Sequence, residues 1–171
     1  MKVVSLRFSD LNGNLKEVLV SEKKFEESKE KGIWFDGSSV QGLVRRFESD
    51  MRLKADLSSS YRFNDIFICF CDIYQGNKPF EGDPRMILKN VLREFSTFGF
   101  EVFIAGELEF YLRKNGETLD KATYFDISPK DKAHEIKMRI AQVLSEVGIE
   151  WEIGHHEVGP GQNEIDIKYD L

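Results

Sequence analysis

Cysteine is nearly missing from this 171-residue chain: the only two, Cys69 and Cys71, stand two apart in IFICFCDIY. On a strand they point the same way, and neighbouring same-face positions on one strand rarely bridge. They are expected as buried thiols in a reducing compartment, with a C-x-C metal pair as the other reading. Also missing is any apolar run approaching the roughly 18 to 20 residues that a membrane span needs. Only Val3 and Val4 separate Met1-Lys2 from Ser5 and Arg7, so no signal-peptide core is visible and a cytoplasmic location is expected. No block of consecutive Lys and Arg occurs, and the formal charge is −6. That balance argues against nucleic acid and against an anionic membrane as partners. Proline is scarce, and two of the four prolines fall in QGNKPFEGDPR (75–85) beside two glycines, which marks a domain boundary there.

What is present is ordinary for a globular protein: 41% hydrophobic and 32% charged residues, with 14 Phe to build a core. Val4, Leu6 and Phe8 alternate with polar residues; Asn12-Gly13 and a second run from Leu15 to Val20 complete a β-hairpin pattern. SEKKFEESKEKG (21–32) reads as a short polar helix or turn anchored by Phe25. A Gly- and Ser-rich loop is expected next, holding GIWFDGSSVQG (32–42) and FESDMRL (47–53). DIFICFCDIY (65–74) then reads as a strand covered on both faces.

Past the boundary, Asp83-Pro84 is an N-cap and N1 pair. Ile87, Leu88, Val91, Leu92 and Phe95 recur at helical spacing up to Gly99. A strand is expected from Glu101 to Leu112, turned at Asn115-Gly116. A second helix is expected from Ser128-Pro129, with Ile136, Ile140, Val143, Leu144 and Val147 inward. IEWEI and NEIDIKY are extended runs flanking GHHEVGPG. The fold class is α+β: a small sheet domain over 1–76, then the start of a second domain over 77–171.

Chemistry concentrates in the acids. In GELEFYL (106–112), Glu107 and Glu109 alternate with Leu108, Phe110 and Leu112. Residues two apart on a strand share a face and lie about 6.5 to 7 Å apart along it. Glu164 and Asp166 repeat the pattern against Ile165 and Ile167. On an open sheet such acids are a solvated face; lining a cavity, they need cations, and carboxylate oxygens suit Mg²⁺ or Mn²⁺. The HHE segment lacks thiolates and helical spacing, which points away from zinc. His155 and His156 are adjacent, would face opposite ways on a strand, and are expected as hydrogen-bonded structural groups. Gly159-Pro160-Gly161 is expected to turn Glu157 back towards Glu164.

Taken in order, these segments resemble the glutamine synthetase family. LRFSDLNGNLKEV is similar to its opening strand pair, and GIWFDGSSVQG with ESDMRLKAD to its FDGSS and ESDM loop. GELEF is similar to its GxExEF strand, and YFDISP through HHEVGPGQNEID to its YFD…HHEVxPGQxEID stretch. The resemblance implies a β-grasp-like first domain and the beginning of a catalytic domain with an antiparallel sheet and helices on one side.

It also implies ATP-dependent ligation of ammonium to glutamate through γ-glutamyl phosphate. By that resemblance Glu109, Glu157 and Glu164 hold one Mg²⁺ or Mn²⁺ ion, and Glu107 is a ligand of a second ion at the phosphates of ATP. Glu152 contacts the nucleotide. Asp36, with Ser39 and Asp50, serves ammonium binding and deprotonation in a neighbouring subunit. There are departures: no helix precedes the first strand, Leu43 stands where many members carry an aromatic residue, and GELEF lacks the usual prolines. The family's further ligands, its phosphate arginines and its substrate flap would lie beyond Leu171. Two readings follow: the amino-terminal portion of a ligase, needing a carboxy-terminal half and self-association, or a non-catalytic homologue that binds metal, assembles or regulates.

Overall fold

The computed structural model describes residues 3–43 and 50–170 and divides into two compact units, Met1–Phe100 and Glu101–Leu171. Phe47, Glu48 and Ser49 of the FESDMRL segment lie outside the described residues.

In the first unit, β1 (Val3–Ser9) and β2 (Leu15–Ser21) form the expected antiparallel hairpin. Asp10 holds its turn: buried at 1% exposure, Oδ1 accepts from the amides of Asn12 and Asn14, both at 2.9 Å. Those bonds, the Asn14 side chain foremost, bring the Asp10 carboxyl down to about 2. Because that value lies below the ordinary 3.8, the stabilisation is complete above about pH 3.8 and is lost as pH falls towards 2. Asp10→Asn should therefore flatten the acid limb of the melting-temperature profile; an unchanged limb would contradict the assignment.

Helix α1 (Glu22–Ser28) starts at an N-cap where Ser21 Oγ accepts from the Lys24 amide, and it buries Phe25. The sequence reading of a loop after α1 is wrong over residues 33–36 and 50–63. Ile33–Asp36 is strand β3, and Asp50–Phe63 is β4, a 14-residue strand. The signal was weak because the inward apolar alternation is short, with Met51 and Leu53 buried and the small Ala55 partly so. Arg52 between them is held by acceptors instead, donating to the carbonyls of Lys31 and Gly76 and to Asn77 Oδ1. A register shift between Asp56 and Ser60 breaks the period further.

Strand β5 (Ile66–Gln75) lies between β1, parallel, and β4, antiparallel, giving the order β2-β1-β5-β4-β3, with β6 (Lys78–Pro79) also on β5. Its central place explains the continuous apolar run, and Cys69 and Cys71 are free, with no solvent exposure. Burial pushes their thiols up to about 11 and about 12, so neither is a ready nucleophile.

Helix α2 (Pro84–Thr97) begins where expected, capped by Asp83. It is fastened to the sheet by charge rather than by its apolar stripe. Arg85 reaches Asp56 at 2.7 Å and Asp72 at 3.1 Å, and Lys89 reaches Asp72 at 2.7 Å. Ile87, Leu88, Val91 and Phe95 remain exposed.

In the second unit the expected strand over 101–112 is shorter: β7 spans Glu107–Tyr111. The hairpin β8 (Arg113–Lys114) and β9 (Glu117–Thr118) turns at Asn115 and Gly116, both at positive φ. Helix α3 (His134–Glu146) starts six residues later than Ser128, after a turn region, and its buried residues are Lys137 and Ala141 rather than the Ile136 face. The inward face is set by an ion pair that apolar periodicity cannot reveal. Strands β10 (Trp151–His156) and β11 (Gln162–Ile167) complete an antiparallel sheet of order β10-β11-β7. No helix among the described residues is long and apolar enough to cross a membrane.

Candidate metal centre

Strand register puts the acids on one face. Glu164 pairs with Glu109 and Asp166 with Glu107, while His155 on β10 pairs with Glu164. Directly opposed residues point the same way, so these five side chains share a face of the sheet. The alternate residues Gly154 and Ile165 point the other way and line one cavity with Lys137, Met138 and Ala141 of α3. On β11 the apolar Ile165 faces that helix, which leaves Glu164 and Asp166 on the opposite side.

The tightest group is His155, Glu157 and Glu164, each offering a donor atom within 4.8 Å of the others. His155 Nδ1 lies 3.4 Å from Glu157 Oε1, and Nε2 lies 3.7 Å from Glu164 Oε2. Tyr124 and Phe125 wall the ring, with centroids at 5.3 and 4.8 Å. Burial, a hydrogen bond with Glu157, and the charges of Asp166, Glu109 and Glu157 together push Glu164 up to about 7. Negative charge is thus concentrated beyond what the folded chain relieves by itself, and Asp166 Oδ1 is buried without a hydrogen-bond partner. A divalent cation fits that demand, and the carboxylate and imidazole donors suit one.

Gln162 completes the rim: its Nε2 donates to Glu109 Oε2 at 2.6 Å. Glu109 therefore stands beside the trio, at the register position facing Glu164, and remains exposed. Glu107 is exposed one pair further along, opposite Asp166. Glu152 is exposed on β10 at a register shift between Trp151 and Ile153. Sequence reasoning missed His155 as a member of the group. The signal was there in outline, since the expected alternation of His155 and His156 sends one ring each way, and the pairing with β11 decides which ring meets the acids.

His156 takes the other side. It is 1% exposed, with Nε2 at 2.9 Å from Asp120 Oδ1 and Nδ1 at 2.6 Å from the Glu157 carbonyl. The connecting turn closes through Glu157 N to Gln162 O at 2.8 Å and Gln162 N to Gly159 O at 2.9 Å. Gly161 is required there: φ is +71°, and an added Cβ would lie 2.8 Å from the Leu112 carbonyl oxygen. The left-handed conformation alone costs an L-residue about 1–2 kcal/mol. Gly161→Ala should therefore lower the melting temperature by several degrees, and an unchanged melting curve would count against the turn geometry.

The other predicted residues belong to the first unit. Asp36 ends β3 and Asp50 begins β4, and the two are cross-strand partners. Asp36 Oδ1 accepts from the Ser38 amide at 2.9 Å and hydroxyl at 2.7 Å, and Oδ2 from the Ser39 hydroxyl at 3.0 Å. Asp36, Ser39 and Asp50 are all exposed. FDGSS therefore forms a hydroxyl-lined carboxylate turn on the surface of its unit.

The chain is a mixed α+β protein with a carboxylate–imidazole donor set on one sheet face, and comparison narrows its class. Residues 1–76 match the model for the glutamine synthetase β-grasp domain, and residues 81–171 match the model for the glutamine synthetase catalytic domain. The chain belongs to the glutamine synthetase family. Among curated relatives, glutamine synthetase of Clostridium saccharobutylicum is 38% identical over 183 residues, covering 99% of this chain and 41% of that protein. Glutamine synthetase of Pyrococcus horikoshii is 41% identical over 177 residues, covering 99% and 40%. The chain thus spans about two fifths of the length of the curated relatives it matches. Among solved structures, Plasmodium falciparum glutamine synthetase superposes with a TM-score of 0.84 at 25% identity, over 99% of this chain and 42% of the other. A structure described as "Apo GmaS without ligand" shares the fold, with a TM-score of 0.89 at 20% identity over 99% and 42%.

Proposed function

We propose that this chain supplies the ammonium-binding loop and part of the divalent-metal site of a cytoplasmic glutamate–ammonia ligase. The observation that carries the reading is the convergence of His155, Glu157 and Glu164, with Glu109 beside them, on one face of a sheet in a chain of this family. Glu109, Glu157 and Glu164 would hold one Mg²⁺ or Mn²⁺, with His155 against them, and Glu107 would serve a second ion. Bound there, the ions would screen and orient the triphosphate of ATP and the carboxylate of glutamate.

In this reading Glu152 meets the nucleotide. The γ-carboxylate oxygen of glutamate takes the γ-phosphoryl group of ATP, releasing ADP and leaving an acyl phosphate. Ammonium gives a proton to the Asp36 carboxylate, which the Ser38 and Ser39 hydroxyls orient, with Asp50 adding negative charge across the strand pair. Ammonia then attacks the acyl carbon and phosphate leaves. The β-grasp unit would deliver Asp36, Ser39 and Asp50 to a neighbouring subunit of an oligomer. In this reading the remaining ligands and phosphate-binding groups would come from other polypeptide.

The 171-residue chain alone should form no glutamine from glutamate, ammonium and ATP. Co-expressed with the remaining three fifths of a relative, it should restore ligase activity that Asp36→Asn reduces by about 100-fold or more. Assembly with that polypeptide without activity would support instead a metal-binding or regulatory homologue.

A further inference from the structure

Behind the acid face lies a buried polar assembly that none of the chemistry above uses. Asp120 comes from the loop after β9, thirty-six residues before His156, and is 5% exposed. Its Oδ1 accepts from His156 Nε2 at 2.9 Å, from the Gly161 amide at 3.2 Å and from the Ala122 amide at 3.2 Å. Its Oδ2 accepts from the Lys132 amide at 3.0 Å. One carboxylate thus grips both ends of the turn that separates Glu157 from Glu164. At the near end the grip passes through His156, whose other nitrogen meets the Glu157 carbonyl oxygen. With both ring nitrogens engaged, His156 has none left to offer an ion.

We propose that Asp120 and His156 are positioning residues that clamp the Glu157–Gly161 turn and hold Glu157 opposite Glu164 and His155. The physical reason is the chain's need to hold like charges together. A turn free to relax would swing Glu157 away from Glu164, because the two carboxylates repel across the His155 ring that lies 3.4 and 3.7 Å from them. A buried carboxylate–imidazole pair anchored to four backbone groups opposes that relaxation. Outer partners of this kind typically change metal affinity 10- to 100-fold when removed. The role rests on the metal reading above for its consequence, but the clamp itself is a property of the metal-free chain.

Two measurements on the full 171-residue chain separate the clamp from the metal reading. Amide exchange in the metal-free Asp120→Asn variant should quicken at least about 10-fold over residues 157–162, while residues 137–146 of α3 keep their protection. Calorimetric titration with Mn²⁺ should then show affinity reduced about 10- to 100-fold, and Ala141→Gly, a packing change in α3, should leave that affinity within about two-fold. Equal loosening of the turn and α3, or an unaltered turn, would overturn the clamp. Selective loosening with unchanged Mn²⁺ affinity would overturn its role in positioning Glu157. A parent chain that takes up no Mn²⁺ would defeat the metal reading, while the exchange result would still decide whether the clamp exists.

Discussion

Glu164→Gln should lower the affinity of the chain for Mn²⁺ by about 100-fold or more, beyond what loss of an outer partner usually does, and should at the same time stabilise the metal-free protein above pH 7. The two effects have opposite signs and one cause. Glu164 sits at 9% exposure beside Glu157, with Glu109 and Asp166 acting on it, and its carboxyl is pushed up to about 7. Above that pH the metal-free fold carries the full repulsion, because the unfolded chain would hold the same charge dispersed in water. Glutamine keeps the shape and removes the charge. A cation gains most from the charge that the metal-free fold suffers from, so binding falls as stability rises. Calorimetry with Mn²⁺ and melting curves at pH 8 read both quantities. A variant that loses stability and keeps its affinity would mean that Glu164 is an ordinary packed residue.

The second large effect concerns stability alone. Lys137 is 7% exposed on α3, and its ammonium meets Asp131 Oδ2 at 2.7 Å and Asn163 Oδ1 at 2.7 Å. Asp131 Oδ1 also accepts from the Ala133 amide at 2.8 Å, and Asn163 is wholly buried beside Glu164. Lys137→Met would leave a buried carboxylate without its cation, which typically costs about 3–5 kcal/mol. Replacing Asp131 by Asn as well should recover part of the loss, since the uncompensated charge then disappears. Trp151 on β10 belongs to this unit and Trp34 on β3 to the other, so fluorescence in a Trp34→Phe background would follow the affected unit in urea. A midpoint unchanged in Lys137→Met would show that the pair contributes nothing.

Much of the fold could be read in the order of residues where one period dominates. The β1–β2 hairpin, the central strand with its two thiols and the cap of α2 all follow from alternation, continuous apolarity or an Asp-Pro start. The parts that escaped are those where polar chemistry, not apolar period, sets the structure. β4 carries a buried arginine and a register shift within it, so its 14 residues look like a loop. α3 turns Lys137 inward because Asp131 and Asn163 wait for it, although Ile136 looks the better candidate.

The site divides the same way. Alternation puts Glu107 with Glu109, and Glu164 with Asp166, on one face of each strand, and the pairing of β7 with β11 joins the two sets. Membership of His155 depends on which strand it pairs with, and the Asp120–His156 contact spans thirty-six positions. Tertiary partners of that kind leave no local periodicity to read. The resemblance to a family suggests what spacing could not: which acids would share one ion, and what reaction they would serve.

Crystals of the chain soaked in Mn²⁺ and measured at the manganese absorption edge would test the metal centre most directly. The expected result is an anomalous peak within coordination distance of Glu157 and Glu164 carboxylate oxygens, about 2.0–2.6 Å as hard divalent ions take oxygen ligands. Manganese found only elsewhere on the surface, with the face of β7 and β11 holding none, would contradict the account.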